Sequence, residues 1–334
     1  MRSKRHHYLP QFYLEYFLPE DGSGTFWVYD KAGGEPRPQT PVNTCVEGHL
    51  YSFADPKGGK TDELERELFS RLDGQTKPVL DRWRDTRGEV SPGDVPVLAE
   101  FVAALHTRVP RHIESTRQML LAVLSSRRRF LLEHPAELAS LVESFKRDRP
   151  GYETLQVEEL RQLFQDFDKR FVAKPSPDQV LAFSLAATAV VYEELMTMRW
   201  QLLNVKANNP LVTSDAPVVV FVPCGKDRAM FGAGIALPAA EVVFPVSPDV
   251  CLYIDHGLSG DRRTAHDSFV REMNRRIIYN AERFVISRTN DPSLAELVTL
   301  FSRTRGRQRI DADKVHKRIK WPSLRKTPRD TGGP

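Results

Sequence analysis

Two adjacent histidines and a glutamine at the start of the chain have side chains that could move a proton or bind a ligand. His6, His7 and Gln11 lie within MRSKRHHYLPQFYLEYF, residues 1–17. Histidine exchanges a proton near neutral pH more readily than other side chains. Adjacent side chains point in different directions, so at most one histidine faces a given site, and Gln11 shares a face with His7 if the segment is helical. The structural alternative is that the histidine holds a turn by bonding to a backbone carbonyl.

An aspartate in the sequence Thr213-Ser214-Asp215-Ala216-Pro217 lies at a predicted junction between two strands. Active-site carboxylates often lie on such loops, where they bind a metal ion or orient a histidine. Glu65 is the carboxylate that we pair with Asp215 as a candidate metal ligand. The alternative is turn chemistry, in which the Ser214 and Asp215 side chains bond to nearby backbone. Ser214 is a weak nucleophile candidate, because Gly-Xaa-Ser-Xaa-Gly occurs nowhere in the chain.

Two arginines, Arg108 and Arg111, lie on either side of Pro110 at the end of a predicted helix. The planar guanidinium group binds two oxygens of a phosphate or carboxylate at once, so each arginine is a candidate phosphate ligand. The alternative is an ion pair to a carboxylate such as Glu65 or Asp215. His106 is close enough in sequence to join the same cluster.

Several common catalytic motifs are absent from the sequence. There is no Walker loop, no Rossmann Gly-Xaa-Gly-Xaa-Xaa-Gly and no His-Glu-Xaa-Xaa-His. The three cysteines, Cys45, Cys224 and Cys251, lack metal-type spacing and predict a reduced, cytoplasmic protein. No stretch approaches the roughly 18 uninterrupted apolar residues of a membrane span, and no signal-peptide pattern opens the chain, so we expect no membrane association.

The net charge of +4 is unevenly distributed over the 334 residues. Residues 303–329 contain eleven Lys/Arg and two Asp, whereas the other residues contain 37 basic and 42 acidic side chains. A basic segment with Gly, Ser and Pro is typical of a solvated or disordered extension, and the alternative is an arm that binds a polyanion. We therefore predict a basic C-terminal tail over 303–334.

The first two thirds of the chain predict a short β unit followed by helices. Thr25–Asp30 alternates as a strand does, and Leu50–Phe53 is a second strand candidate. From Asp62 onward apolar residues recur every three to four positions. Proline-based start signals open two of the helices. The predicted helices begin at Asp62 and at Ser91-Pro92, and others cover His112–Glu133, Pro135–Arg147, Leu160–Phe171 and Ser176–Met198.

The last third predicts strands buried on both faces, because its β-branched runs are continuously apolar. Two helices are also predicted there, over 266–280 and after Asp291-Pro292. This order of elements predicts an α+β fold, with a single domain over 1–300 built from a β unit (1–60), a helical block (61–199) and a mixed β-sheet with helices (200–300). The predicted strands are Gln201–Val205, Pro217–Val222, Glu241–Val246, Val250–Ile254 and 283–287.

Motifs spread over residues 5–290 also resemble a mostly microbial family, the domain-of-unknown-function 4238 family. The resemblance carries no established reaction, but it singles out His7 over His6 and adds Asn274 and Arg283 to the candidate residues. Capping or packing roles are the alternative for both. The matching motifs are His7-Tyr8 with Pro10-Gln11-Phe12, Phe26 to Asp30, Leu50-Tyr51-Ser52, Arg108 to Arg111, Thr213 to Val218, Phe244 to Pro248, Asn274, and Ala281 to Ser287.

The first functional hypothesis is a nuclease-like or related phosphoester hydrolase that acts on RNA or DNA. His7 would be its general acid/base, Asp215 and Glu65 would hold Mg²⁺ or Mn²⁺, and Arg108 would bind phosphate. In a microbial family such an enzyme suggests a toxin or a phage-defence effector. The remaining polar residues, Gln11, Arg111, Asn274 and Arg283, would bind substrate.

Two alternatives stay open beside the hydrolase. One is a non-catalytic module that binds a nucleotide or RNA, and the other is a structural or partner-binding protein in which the opening motif locks the fold. Geometry separates them: convergence of His7, Arg108 and Asp215 in an open cleft favours a site. Burial with mutually satisfied partners favours a structural role.

Overall fold

The computed structural model describes residues 5–48, 50–51, 53–54, 60–61, 69–206, 208, 210–222, 234–257, 264–304, 316 and 319. Glu65, the predicted helix start at Asp62 and most of the predicted tail lie outside these residues. The prediction that Glu65 binds a metal ion is therefore untested.

Helices and strands are numbered in chain order over the described residues. The helices are α1 (Gln11–Glu15), α2 (Ser70–Thr86), α3 (Val95–Arg108), α4 (Pro110–Glu133), α5 (Pro135–Asp148), α6 (Val157–Gln165), α7 (Phe167–Arg170), α8 (Pro177–Thr197), α9 (Asp267–Asn280) and α10 (Pro292–Thr304). The strands are β1 (Arg5–His7), β2 (Phe26–Asp30), β3 (Arg37–Gln39), β4 (Val46–Gly48), β5 (Phe53–Ala54), β6 (Lys60–Thr61), β7 (Arg199–Val205), β8 (Thr213–Ser214), β9 (Val219–Phe221), β10 (Glu241–Ser247), β11 (Val250–Asp255), β12 (Thr264–Ala265) and β13 (Phe284–Ser287). The predicted α+β class is confirmed.

The chain divides into two compact units. The first contains 1–116 and 177–308, and the second contains 117–176 and 309–334. Helices of the predicted 61–199 block belong to both units, and the predicted domain boundaries stay a prediction. The core of the second unit includes buried Leu131, Leu138, Val142 and Leu160.

A five-stranded mixed sheet lies at the centre of the first unit, in the order β12-β7-β11-β10-β9. Strands β10 and β11 are almost entirely buried because alternate residues enter two different cores. Val242 and Phe244 face a core shared with α1, α2, α3 and α8, whereas Val243 and Tyr253 face a core shared with α9 and α10. The prediction of strands buried on both faces is confirmed for this pair.

A four-stranded antiparallel sheet, β3-β2-β13-β8, joins the N-terminal and C-terminal parts of the first unit. Strand β13 pairs with β2 on one side and with β8 on the other. Strand β2 forms its hairpin with β3. Of the strand candidate Leu50–Phe53, Leu50 and Tyr51 lie in a turn, whereas Phe53 begins β5. The hairpin connection requires glycine, since Gly33 and Gly34 both have positive φ angles, 99° and 104°.

Two helix boundaries differ from the prediction. The helix expected at Ser91-Pro92 begins at Val95, because the Asp94 N–H donates to the Ser91 carbonyl at 2.9 Å and forms a turn first. The helix expected over Leu160–Phe171 is interrupted at Asp166, which lies between α6 and α7 and has a non-helical backbone.

Within the described part of the chain, α8 is long and apolar enough to cross a membrane by length and composition alone. Core helices of soluble proteins meet the same criteria but are mostly buried, whereas 22% of the apolar stretch of α8 is buried. The buried residues of this helix include Val180, Leu181, Ser184 and Leu195. The expectation of no membrane association stays a prediction.

Candidate functional site

Asp215 is a buried carboxylate that holds the connection between α9 and β13. Its Oδ1 accepts the Glu282 N–H at 2.8 Å, and its Oδ2 accepts the Arg283 N–H at 2.7 Å. The Asp215 N–H in turn donates to the Phe284 carbonyl at 3.3 Å. Both carboxylate oxygens therefore have backbone partners, and the side chain fixes the position of the Arg283 main chain.

Burial and hydrogen bonding shift the pKa of Asp215 in opposite directions. Burial raises the pKa to about 6, although the two backbone N–H donors oppose this by stabilising the charged form. The carboxylate is therefore ionised at neutral pH and accepts hydrogen bonds through both oxygens.

Two cations cap the carboxyl end of α9, next to Asp215. Lys31 Nζ donates to the carbonyl oxygens of Ile278 and Ala281 at 2.8 and 2.9 Å. Arg111 Nη1 donates to the Asn280 carbonyl at 2.6 Å. These bonds satisfy carbonyl groups that a helix leaves without intrahelical donors, and positive charge is favourable at this end of a helix. Arg111, predicted to bind substrate, is thus engaged with the protein's own backbone.

The side chains of the two adjacent histidines in the opening motif have different surroundings, as predicted. His6 is fully buried, and its Nδ1 accepts the Tyr51 N–H at 3.1 Å. His7 is partly exposed, and its Nε2 lies 3.1 Å from the Val42 carbonyl oxygen and 3.2 Å from Gln11 Nε2. His7 and Gln11 therefore meet, and the contact with Val42 has the form of the structural alternative, a histidine bonded to a backbone carbonyl.

Arg108 is almost completely buried beneath the opening motif. Its Nε donates to the Tyr8 carbonyl at 3.0 Å, and its guanidinium carbon lies 4.7 Å from the centre of the Phe69 ring. Arg108 Nη2 lies 3.7 Å from Asp73 Oδ1. Burial raises the pKa of Asp73, against the opposing effect of the Arg108 charge. These contacts match the ion-pair alternative for Arg108, with Asp73 as the carboxylate.

Asn274 links α9 to the segment before β8. Its Oδ1 accepts the Val212 N–H and its Nδ2 donates to the Pro210 carbonyl, both at 3.0 Å. This pair of bonds fixes the chain that leads to Asp215, as expected of a packing residue.

His106 belongs to a separate, partly buried cluster at the contact of α3, α4 and α8. The His106 and His112 rings lie 5.3 Å apart between centroids. His112 Nδ1 lies 2.8 Å from Ser184 Oγ, which donates to the Thr107 carbonyl at 2.8 Å. Burial lowers the pKa of His106 to about 3 and that of His112 to about 4, so both are neutral at pH 7.

The predicted catalytic residues His7, Arg108 and Asp215 each have different partners, and two of them are buried. Among the described residues, no group of three or more His, Cys, Asp or Glu side chains is placed to hold a metal ion. The catalytic roles and the Mg²⁺ or Mn²⁺ site therefore stay predictions.

A small polar pocket lies where β2 and β3 face the segment 43–46. Its volume is about 100 Å³. A water molecule occupies about 30 Å³ of liquid, so the pocket holds a group of only a few atoms. Two arginines and two amides contribute its most polar side chains. The residues lining the pocket are Tyr8, Val28, Arg37, Gln39, Asn43, Thr44, Cys45, Val46, Arg283 and Phe284.

The two arginines of the pocket lie on or next to different strands of the four-stranded sheet. Arg37 lies on the edge strand β3, where it pairs with Val28 of β2. Arg283 immediately precedes β13, at the position that Asp215 fixes. Each has an acidic partner outside the pocket lining: Arg37 Nη1 lies 3.8 Å from Asp30 Oδ2, and Arg283 Nη2 lies 2.5 Å from Glu47 Oε2.

Tyr8 and Cys45 line the pocket as neutral side chains that are hydrogen-bonded to each other. Burial raises the pKa of the Tyr8 phenol and of the Cys45 thiol, so both are protonated at neutral pH. Cys45 has a left-handed backbone conformation, with φ of 56°, and its carbonyl accepts the Tyr8 N–H at 3.0 Å. Such a conformation costs about 1–2 kcal/mol in a non-glycine residue and is found more often at functional sites.

Sequence reasoning missed Arg37, Gln39, Asn43 and Cys45. A signal was present in residues 33–39: two glycines for a turn, then Arg37 and Gln39 alternating around Pro38, as on an edge strand. Among the residues that line the pocket, Arg283 is the one that the family resemblance made a candidate site residue.

In a comparison with protein families, residues 5–291 match a family described as "Protein of unknown function (DUF4238)". The chain belongs to the DUF4238 family. No curated protein matches the chain, and no solved structure matches it either.

The DUF4238 match includes all of the residues that line the pocket. Several motifs that carried the resemblance also meet around β13: Tyr8 lines the pocket, Asp215 bonds to residues 282 and 283, and β2 pairs with β13. Motifs that are distant in the sequence are thus adjacent in the fold.

Proposed function

We propose that this protein is a binding module that recognises the phosphate group of a nucleotide or of a nucleic-acid end. The observation that carries the proposal is the pocket in which Arg37 and Arg283 approach one cavity together with Gln39 and Asn43. Guanidinium groups form charge-assisted, paired hydrogen bonds to phosphate oxygens. The Tyr8 and Cys45 side chains that line the pocket are protonated and carry no negative charge that would repel an anion.

The size of the pocket selects the part of the ligand that enters. About 100 Å³ accommodates a phosphate group but not a nucleoside, so the sugar and base would remain outside. A terminal phosphate fits this geometry better than an internal phosphodiester, because it is joined to the nucleic acid on one side only. A terminal monoester also carries more negative charge to set against two guanidinium groups.

Binding without chemistry agrees with the partners of the predicted catalytic residues. Asp215 uses both oxygens to hold backbone, and Arg108 is buried against Tyr8, Phe69 and Asp73. The hydrolase hypothesis would require these groups to exchange their present partners for substrate or metal. We therefore rank the binding module first and test hydrolysis in the same experiment.

The test uses a short fluorescent RNA carrying a 5′-phosphate, a 3′-phosphate or hydroxyl ends, with binding followed by anisotropy. We expect a phosphorylated end to bind about tenfold or more tightly than hydroxyl ends, as charge-assisted hydrogen bonds contribute about 1.5–3 kcal/mol. Arg37→Gln and Arg283→Gln should each remove this preference. Arg71→Gln is the matched control, because Arg71 is similarly exposed and does not line the pocket.

Equal affinity for all three RNAs, or a preference that survives both pocket substitutions, would overturn the proposal. The same RNAs are incubated with Mg²⁺, with Mn²⁺ or with a chelator beside the His7→Ala variant. Cleavage by the wild type and not by His7→Ala would establish the nuclease-like hydrolase instead.

A further inference from the structure

We propose that Glu47 is an internal competitor for the phosphate, which must displace the Glu47 carboxylate from Arg283 in order to bind. This inference rests on the proposed function. Glu47 Oε2 lies 2.5 Å from Arg283 Nη2, and both side chains remain substantially exposed, at 39% and 47%. Glu47 lies on β4, one residue after Val46 of the pocket lining. The carboxylate therefore engages one of the two pocket cations from beside the cavity.

The backbone of Arg283 is fixed, so the exchange of partners involves its side chain. The Arg283 N–H donates to Asp215 Oδ2 at 2.7 Å, and its carbonyl accepts the Lys31 N–H at 2.7 Å. The backbone of Arg283 is thus held on both sides, and only its side chain has to change position. It can leave Glu47 for a phosphate oxygen without a rearrangement of the sheet.

The ion pair with Glu47 is of the kind that a ligand can replace. Exposed ion pairs contribute little to stability, because water screens them and two long side chains must be ordered. A phosphate monoester brings up to two charges and three acceptor oxygens to the same guanidinium group. Arg37 is held less closely, since Arg37 Nη1 lies 3.8 Å from Asp30 Oδ2. The two arginines thus differ: Arg37 is open to the first contact with the ligand, and Arg283 joins after Glu47 is displaced.

Glu47 is suited to this role because it lies on a short paired strand and not on a loop. Strand β4 pairs with β1, and Glu47 lies opposite His6, whose ring is buried. The carboxylate is therefore presented to Arg283 by an anchored backbone. A competitor held in this way lowers the affinity of every anion that needs Arg283 by the same factor.

A double-mutant cycle tests the inference on the full-length protein, with the 5′-phosphorylated RNA as the probe. Glu47→Gln should tighten binding about threefold to fivefold, the upper range for an exposed ion pair. Arg283→Gln should weaken binding, and the double variant should bind like Arg283→Gln alone, because Glu47 acts through Arg283. Glu20→Gln, which removes one exposed charge elsewhere, is the control and should leave affinity unchanged.

The outcomes separate this inference from the proposed function. A wild type without preference for a phosphorylated end overturns the proposed function and the competitor together. A wild type with that preference, but with unchanged affinity in Glu47→Gln, overturns the competitor alone. Two further outcomes would show a general effect of net charge and would also overturn the competitor. In the first, Glu47→Gln tightens binding equally whether Arg283 is present or replaced. In the second, Glu20→Gln tightens binding as much as Glu47→Gln does. Thermal melts of each variant confirm that the compared proteins are folded.

Discussion

The Oδ2 atom of Asp215 accepts the backbone N–H of Arg283 at 2.7 Å, across 68 positions of sequence. The carboxylate fixes the main chain of Arg283, while the guanidinium group of that residue reaches the polar pocket. Asp215 is therefore a positioning residue in the proposed site. Its family motif is joined to the segment that lines the pocket by this hydrogen bond, by its companion to Glu282 and by the bond from the Asp215 N–H to the Phe284 carbonyl.

Replacing Asp215 with Asn should destabilise the fold and weaken phosphate binding together. The amide keeps one acceptor oxygen, but its NH₂ group would face the second backbone N–H, and an unpaired buried donor costs about 1–3 kcal/mol. Urea unfolding and RNA binding measure the two effects, with exposed Asp85→Asn as the control. A melting temperature equal to that of the wild type, combined with lost cleavage, would instead support the catalytic hypothesis for Asp215.

Replacing Arg108 with Met should cost about 3–5 kcal/mol of stability, because the Asp73 carboxylate would lose its cation in a buried setting. Asp73→Asn in the same background should recover part of the loss, since no charge then remains to be stabilised. Urea unfolding of the single and double variants tests this, with exposed Arg71→Met expected within about 0.5 kcal/mol of the wild type. If Arg108→Met lost phosphate affinity but kept its stability, Arg108 would return to the role of phosphate ligand.

The neutral, partly buried His106 and His112 should make the fold sensitive to acid. Their folded-state pKa values of about 3 and 4 lie below the usual 6.5, so the unfolded chain binds more protons. Their contribution is present above pH 6.5 and is lost as the pH falls from 6.5 toward 4 for His112 and toward 3 for His106. Asp215 acts in the opposite sense between pH 6 and 3.8, because its folded-state pKa is raised.

His112→Asn isolates one part of this dependence. Asn places a polar atom near the position of Nδ1 and does not titrate, so the variant should be less stable at pH 7 but lose less stability between pH 7 and 5. The difference in slope should reach about 1.4 kcal/mol per pH unit. Urea unfolding at several pH values measures it, and parallel curves for the variant and the wild type would contradict the assignment.

The basic tail should contribute to nucleic-acid affinity through charge alone. Replacing Arg305, Arg307 and Arg309 with Gln should weaken binding and reduce the slope of log K against log[salt] by about 2, near 0.7 for each phosphate contact of a single strand. The control replaces three exposed arginines outside the tail, Arg71, Arg82 and Arg147. An unchanged salt slope would mean that the tail does not bind the polyanion.

Much of the fold follows from local patterns in the sequence. Apolar residues at helical spacing predicted α4 and α8 to within two residues, and the continuously apolar runs predicted β10 and β11 as strands buried on both faces. The errors fall where a local turn competes with the pattern. Ser91 to Asp94 forms a turn before α3, and Asp166 interrupts a run of apolar residues between α6 and α7.

The sequence by itself determined the α+β class, the family and the presence of polar residues in its motifs. Only the tertiary structure decided which of these residues meet. Arg37 and Arg283 line one pocket although 246 positions separate them, because β2 pairs with both β3 and β13. Periodicity reports which face of an element is buried, but pairing between strands and the partners of a buried side chain depend on packing of the whole unit. For this reason Asp215, the strongest carboxylate candidate in the sequence, is bonded to backbone N–H groups that no local pattern placed beside it.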